Sequence, residues 1–282
     1  MQITTSPDVI GAEISDIDLA QPLPAEEFGR VEAAFNAAGV VSFPKQHLDE
    51  EQLVAFARRF GEVERIFLKH YAHPRYPEIM YVSNIKENGR DIGHADAGSV
   101  WHTDMSYTAR PPRATILYAL EVPTENGVAL GDTHFSSAAA AYDNLPAETQ
   151  RRIANLRSIH QVAGRRARTG TGQADQALRR EQPAVVHPIV RIHPHTGRKC
   201  LYVSKGECEG IEGMPTDEAL ALIDELAAHI VESRFHHTHR WQVRDVLMWD
   251  NCTVQHLASF DYQWPQHRRL MQRVTVGGSA SV

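Results

Sequence analysis

Apolar residues recur along this chain with two periods, and the switches between them mark out its elements. Val9–Ile14 alternates in polarity and predicts a short strand. After Pro24, the three- and four-residue spacing of Phe28, Val31 and Phe35 predicts a helix that Gly39 ends. Val40–Phe43 reads as a buried strand stopped by Pro44. Asp49 is placed to cap a second helix with Leu53, Phe56, Ala57 and Phe60 on one face and Gly61 just past its end. Strands are predicted at Ile79–Ser83, Ala114–Ala119 and Pro188–Ile192. Thr216 is placed to cap a long helix carrying Leu222, Leu226 and Ile230, with Asp217 and Glu218 in its first turn. Three more strands are predicted at His239–Val243, Val246–Trp249 and Arg273–Val276. Short β-rich pieces separated by turns suit an antiparallel sandwich or barrel better than a parallel sheet. The expected fold is a mainly β jelly roll with helices packed outside it, one domain over residues 1–282.

Composition adds a few exclusions. With 282 residues, 42% hydrophobic and 23% charged, the chain can bury a sizeable core. Its 29 basic against 35 acidic residues argue against a general nucleic-acid binder. Cys200, Cys208 and Cys252 lack zinc-type spacing and read as reduced thiols. The first eight residues show neither a basic nor an apolar signal region, and no apolar run nears the ~20 residues that span a bilayer. A cytoplasmic protein without a membrane partner is expected, and a homo-oligomer is left open. The polar stretch 164–182, with Arg165, Arg166, Arg168, Arg179 and Arg180, reads as a solvated loop or flexible lid. No Lys-Ser or Lys-Thr pair follows its glycines, so it is not a P-loop.

Among 16 histidines, one arrangement suggests chemistry. Val100–Tyr107 reads as a strand end, and on a strand positions i and i+2 project from the same face. His102 and Asp104 can thus reach one metal side by side. His256, after the strand Val246–Trp249 and the turn-like Asp250-Asn251, is the best third ligand. Two histidines and a carboxylate on one face leave three positions open, as in iron(II) oxygenases. A zinc-dependent hydrolase could use the same cluster with a metal-bound water. A non-catalytic binding or assembly module would tolerate loss of all three ligands.

Five segments occur in order over nearly the whole chain. They are Gly11-Ala12-Glu13-Ile14 with Ile17-Asp18-Leu19; Phe56-Ala57-Arg58-Arg59-Phe60-Gly61; Trp101-His102-Thr103-Asp104; Trp249-Asp250-Asn251 followed by His256; and Arg268-Arg269-Leu270-Met271-Gln272-Arg273-Val274-Thr275. In these the sequence resembles the taurine dioxygenase and 2,4-dichlorophenoxyacetate dioxygenase family. The resemblance implies a double-stranded β-helix core, Fe(II), 2-oxoglutarate and O2, with oxidation of a small anionic substrate coupled to release of succinate and CO2. Sulfonates, sulfate esters and aryloxy or alkyl carboxylates are all open as substrates. Residue by residue it implies His102, Asp104 and His256 as metal ligands. It implies Thr133 and Arg269 as partners of the distal carboxylate of 2-oxoglutarate, and Arg273 as the contact to the substrate anion. A planar guanidinium suits a carboxylate because its fork donates two parallel bonds.

There are departures. Cys252 stands where the family commonly has arginine, and the tract from Asp261 to Arg269 is longer by about one or two residues, a change a loop tolerates. Arg269 is preferred over Arg268 because it keeps the Arg-x-x-x-Arg spacing to Arg273. The resemblance also implies a substrate-binding histidine near His70 and His73 without choosing between them. The closely spaced pairs His193–His195 and His236–His239 read as a surface turn and a polar surface connection.

Overall fold

The computed structural model describes residues 1–66, 69–162 and 180–281. The expected loop or lid at 164–182 therefore lies, as far as residue 179, outside the described residues. In chain order the principal strands are β1 (Gln2–Thr5), β2 (Ala12–Ser15), β3 (Val40–Phe43), β4 (Ile79–Ser83), β5 (Ala114–Glu121), β6 (Thr133–Ser137), β7 (Arg157–His160) and β8 (Val185–Pro188). They continue with β9 (Val190–Ile192), β10 (Lys199–Leu201), β11 (Cys208–Ile211), β12 (His236–His239), β13 (Val246–Asp250), β14 (Val254–Ala258) and β15 (Leu270–Val276). The helices are α1 (Ala25–Ala38), α2 (Glu50–Arg58), α3 (Ala138–Asp143), α4 (Ala147–Ile153) and α5 (Thr216–Ile230).

A large sheet runs β1-β2-β3-β13-β5-β15-β4 and faces a small one, β12-β6-β14. Within them only β2 and β3 pair in parallel. Side-chain alternation divides the large sheet cleanly. Ile116, Tyr118, Val246, Met248, Val274 and Val276 point outward and are buried under Val31, Phe35, Leu53, Phe56 and Phe60 of the α1 and α2 region. Leu117, Ala119, Leu247, Trp249 and Met271 point inward and pack against Phe135 and Val254 of the small sheet. This is the jelly roll with outer helices that the sequence predicts. A third cluster joins α3 and α5 to β9, β10 and β11. No helix among the described residues is long and apolar enough to cross a membrane.

Local chemistry explains where the predicted elements held. Gly39 ends α1 at φ 69°, a left-handed conformation glycine adopts at little cost. Asp49 and Gln52 form a reciprocal capping box at the start of α2. Other expectations need correction. The strand predicted at Val9–Ile14 begins only at Ala12, because Gly11 turns the chain at φ 105°. Thr216 is the first helical residue, after Pro215, and makes no side-chain cap. Pro188–Ile192 is two strands, since β8 pairs with β7 whereas β9 pairs with β10, and buried Ile189 forms the corner. The strand predicted at His239–Val243 lies earlier, at His236–His239, where it pairs with β6. Those histidines are therefore an edge strand and not a surface connection. His193 does open a turn, but it is buried, with Nε2 2.7 Å from Asp250.

Candidate metal centre

His102 is not on a regular strand. It forms a single antiparallel bridge with His256, through His102 N–H to His256 O at 3.2 Å and His256 N–H to His102 O at 2.8 Å. That bridge sets the two imidazoles side by side, with ring centroids 4.1 Å apart. The chain then turns, and Met105 takes a left-handed φ of 49° immediately after Asp104. The same-face argument was thus right in outcome and wrong in cause, since a turn and not a strand delivers the carboxylate. Asp104 Oδ1 lies 3.7 Å from His102 Nε2 and 3.9 Å from His256 Nε2. One donor atom from each residue lies within 4.8 Å of the other two, and this is the one such group found among the described residues.

The surroundings fix each donor. His102 Nδ1–H donates to the Val100 carbonyl at 2.7 Å, which leaves Nε2 for a metal. Asp104 Oδ2 accepts from Thr115 Oγ1 at 2.6 Å and Trp249 Nε1 at 3.2 Å, which leaves Oδ1 facing the imidazoles. Asn251 Nδ2 in turn donates to Thr115 Oγ1 at 3.1 Å. His256 packs against both Phe135 and Trp249, with its Nδ1 buried and unpartnered.

Electrostatics agree with a cation site. Burial opposes ionisation of Asp104, but the Arg273 guanidinium and then the two imidazoles hold its carboxyl well below the usual carboxylate range. Burial, with His102 beside it, pushes His256 down to about 3, so its ring is neutral and able to ligate. Burial also acts to lower His102, but the Asp104 carboxylate outweighs it and the net shift is upward. Octahedral bonds of about 2.1 Å put adjacent donors about 3 Å apart. The two separations from Asp104 Oδ1 need to close by less than an ångström, and all three donors already lie within 4.8 Å of one another, so the residues present fit a divalent ion.

The other predicted residues fall into two groups. Arg269 is buried and donates through Nη1 to the Gly131 carbonyl at 2.6 Å. Its guanidinium lies 5.4 Å from the Tyr262 ring and 5.8 Å from the Trp241 ring. A Cβ on Gly131 would collide with that guanidinium, which explains a glycine there. Trp241 Nε1 donates to Thr133 Oγ1 at 2.9 Å, so Thr133, Trp241 and Arg269 form one group. Thr133 lies two residues before Phe135, whose ladder partner is His256, so the group borders the triad. Arg268 points away and pairs with Glu121 at the surface. Arg273 places Nη2 2.9 Å from Asp104 Oδ1.

His70 and His73 are not joined to these groups. His73 Nδ1 accepts the backbone N–H groups of Arg75 and Tyr76, and its Nε2 faces Glu50. His70 is exposed beside Tyr71. Sequence reasoning missed Thr115, Trp241 and Tyr107. Burial pushes the Tyr107 phenol up to about 12, against the Arg273 guanidinium, which acts to lower it. A polar Thr115 inside an apolar strand was the available signal for the first.

The family profile described as "Taurine catabolism dioxygenase TauD, TfdA family" matches residues 2–275. The chain is 33% identical over 268 residues to the alpha-ketoglutarate-dependent 2,4-dichlorophenoxyacetate dioxygenase of Cupriavidus pinatubonensis, covering 91% of this chain and 92% of that one. Its structure resembles a taurine dioxygenase from Burkholderia xenovorans with TM-score 0.83 and 30% identity, over 100% of this chain and 90% of the other. It resembles equally AAD-2 in complex with Mn(II) and N-oxalylglycine, with TM-score 0.83 and 29% identity, over 99% and 98% of the two chains.

Proposed function

The chain belongs to the TauD/TfdA family of dioxygenases, and from that premise we propose that it uses Fe(II), 2-oxoglutarate and O2 to hydroxylate a small anionic organic substrate. The observation that carries this reading is the convergence of His102, Asp104 and His256 beside a second, cationic group built on Arg269. When bound, iron supplies the redox chemistry that couples decarboxylation of 2-oxoglutarate to succinate and CO2 with hydroxylation of the substrate.

The residues of the chain divide the remaining work. His102 and His256 offer Nε2, and Asp104 offers Oδ1, held in place by Thr115 and Trp249 through Oδ2. Arg269 pairs with the distal carboxylate of 2-oxoglutarate through its planar fork, and Thr133 adds a hydroxyl donor. Burial of this pair excludes water and strengthens the bonds. Arg273 neutralises Asp104 in this structure. Its guanidinium would also be the group to hold the anionic end of the substrate beside the triad. A zinc-dependent hydrolase would use the same triad but has no task for Arg269 and Thr133, and this favours the dioxygenase.

The test is a screen of sulfonates, sulfate esters and aryloxy or alkyl carboxylates, with neutral and cationic analogues alongside, against the Fe(II)-loaded enzyme. Substrate-dependent succinate formation with one of these classes is expected. Turnover only of neutral or cationic compounds would remove Arg273 from the substrate site.

A further inference from the structure

The turn that carries Asp104 is held from two sides. On one side Thr103 Oγ1 donates to the Asn251 carbonyl at 2.7 Å, and Asp104 N–H reaches Asn251 Oδ1 at 3.4 Å. On the other, Ser106 Oγ meets His160 Nδ1 at 3.1 Å, and His187 Nε2–H donates to the Thr108 carbonyl at 3.0 Å. Between these anchors Met105 sits at φ 49°. A non-glycine residue takes that conformation at a steric cost, which the anchors on both sides offset.

His160 is itself tightly fixed. Its Nε2 is 2.8 Å from Ser158 Oγ, and its ring stacks on Tyr202 at 5.6 Å and meets His187 edge-on at 5.1 Å. Both His160 and Ser106 are fully buried. Burial and the neighbouring His187 push His160 down to about 3, so the ring is a permanent neutral hydrogen-bonding group. One of its nitrogens is committed to the core of β7. The other is committed to a serine two residues from the Asp104 carboxylate.

We infer that His160, acting through Ser106, is a positioning residue for the metal centre: it holds the left-handed turn at Met105 and so fixes where Asp104 presents its carboxylate. This rests on the metal reading proposed above. Loss of the Ser106 bond frees the turn to relax, and a displaced ligand weakens metal binding without any change in the ligand set. Groups hydrogen-bonded to a metal ligand change affinity by roughly 10–100-fold, and Ser106, which acts on Asp104 through the backbone of the turn, belongs at the lower end of that range.

The experiment titrates the metal-free full-length protein with Mn(II), with free Mn(II) counted by electron paramagnetic resonance. It compares wild type with Ser106→Ala, His160→Asn and His160→Gln, each also melted thermally. Asparagine places its amide near the Nδ1 position and can keep the Ser106 bond. Glutamine reaches the Nε2 position and keeps only the Ser158 bond. Ser106→Ala and His160→Gln should weaken Mn(II) binding by about tenfold or more, and His160→Asn should retain most of the affinity. Ser106→Ala removes one oxygen atom, so it reports even if a histidine variant does not fold. Wild-type affinity in Ser106→Ala, with or without a lower melting temperature, overturns the inference. So does equal weakening in His160→Asn and His160→Gln. Failure of the wild type itself to bind Mn(II) would instead sink the metal reading.

Discussion

Replacing Arg269 by alanine should weaken 2-oxoglutarate binding, whereas replacing its neighbour Arg268 should leave that binding unchanged. The two side chains differ in environment and not in chemistry. Arg269 is 3% exposed, with its guanidinium between Gly131, Tyr262 and Trp241. Arg268 lies at the surface and holds Glu121 at 2.7 and 3.0 Å. Removing one member of a buried, charge-assisted bidentate pair costs roughly 1.5–3 kcal/mol. At about 1.4 kcal/mol per tenfold, Kd for 2-oxoglutarate should rise by about 10- to 150-fold. The exposed Arg268–Glu121 pair is screened by solvent and contributes little to stability. The assay is anaerobic isothermal titration of the Mn(II)-loaded protein with 2-oxoglutarate, with a thermal melt of each variant to verify folding. Arg269→Lys should restore only part of the affinity, because an ammonium cannot reproduce the planar fork. Unchanged affinity in folded Arg269→Ala, or a loss in Arg268→Ala, would refute the assignment.

Three further outcomes follow. Thr115→Val keeps the shape of the side chain but deletes the 2.6 Å bond to Asp104 Oδ2, so metal affinity should fall about 10–100-fold with a native circular dichroism spectrum. Unchanged affinity would show that Trp249 alone orients the carboxylate. Arg273→Ala removes the strongest charge holding the Asp104 carboxyl down, so that pKa rises. In the metal-free variant the Asp104 carboxyl, followed by NMR, should therefore titrate at a higher pH than in wild type, while 2-oxoglutarate affinity at neutral pH changes little. A titration curve that does not move, or a large loss of 2-oxoglutarate affinity, would contradict the role given to Arg273. Asp49→Ala breaks the capping box of α2 and should cost about 1 kcal/mol in chemical denaturation without altering metal affinity.

Residues whose role is local could be read directly from the chain. Gly39 and Asp49 ended and began helices as expected, because a left-handed glycine and a capping aspartate act over a few residues. The triad was legible because its three residues sat in a known order of motifs. What was not legible depends on pairing between distant strands. Nothing in Pro188–Ile192 announces that it divides between two sheets at Ile189. The histidine run at 236–239 looks polar and becomes a strand only because Thr133–Ser136 lies opposite it. Likewise His193 reads as a surface residue in sequence, and its burial goes with Asp250 supplying a hydrogen bond from a distant strand.

The central claim is that His102, Asp104 and His256 hold a redox-active iron that works with 2-oxoglutarate. It is tested most directly by measuring succinate release against O2 uptake for the protein loaded with Fe(II) or Zn(II), with 2-oxoglutarate and the best anion from the substrate screen. Wild type with Fe(II) should consume O2 and release succinate together, and should do neither with Zn(II), without O2, or after Asp104→Ala. Substrate turnover that persists with Zn(II) in the absence of O2 would make the same triad a hydrolytic site and contradict the account.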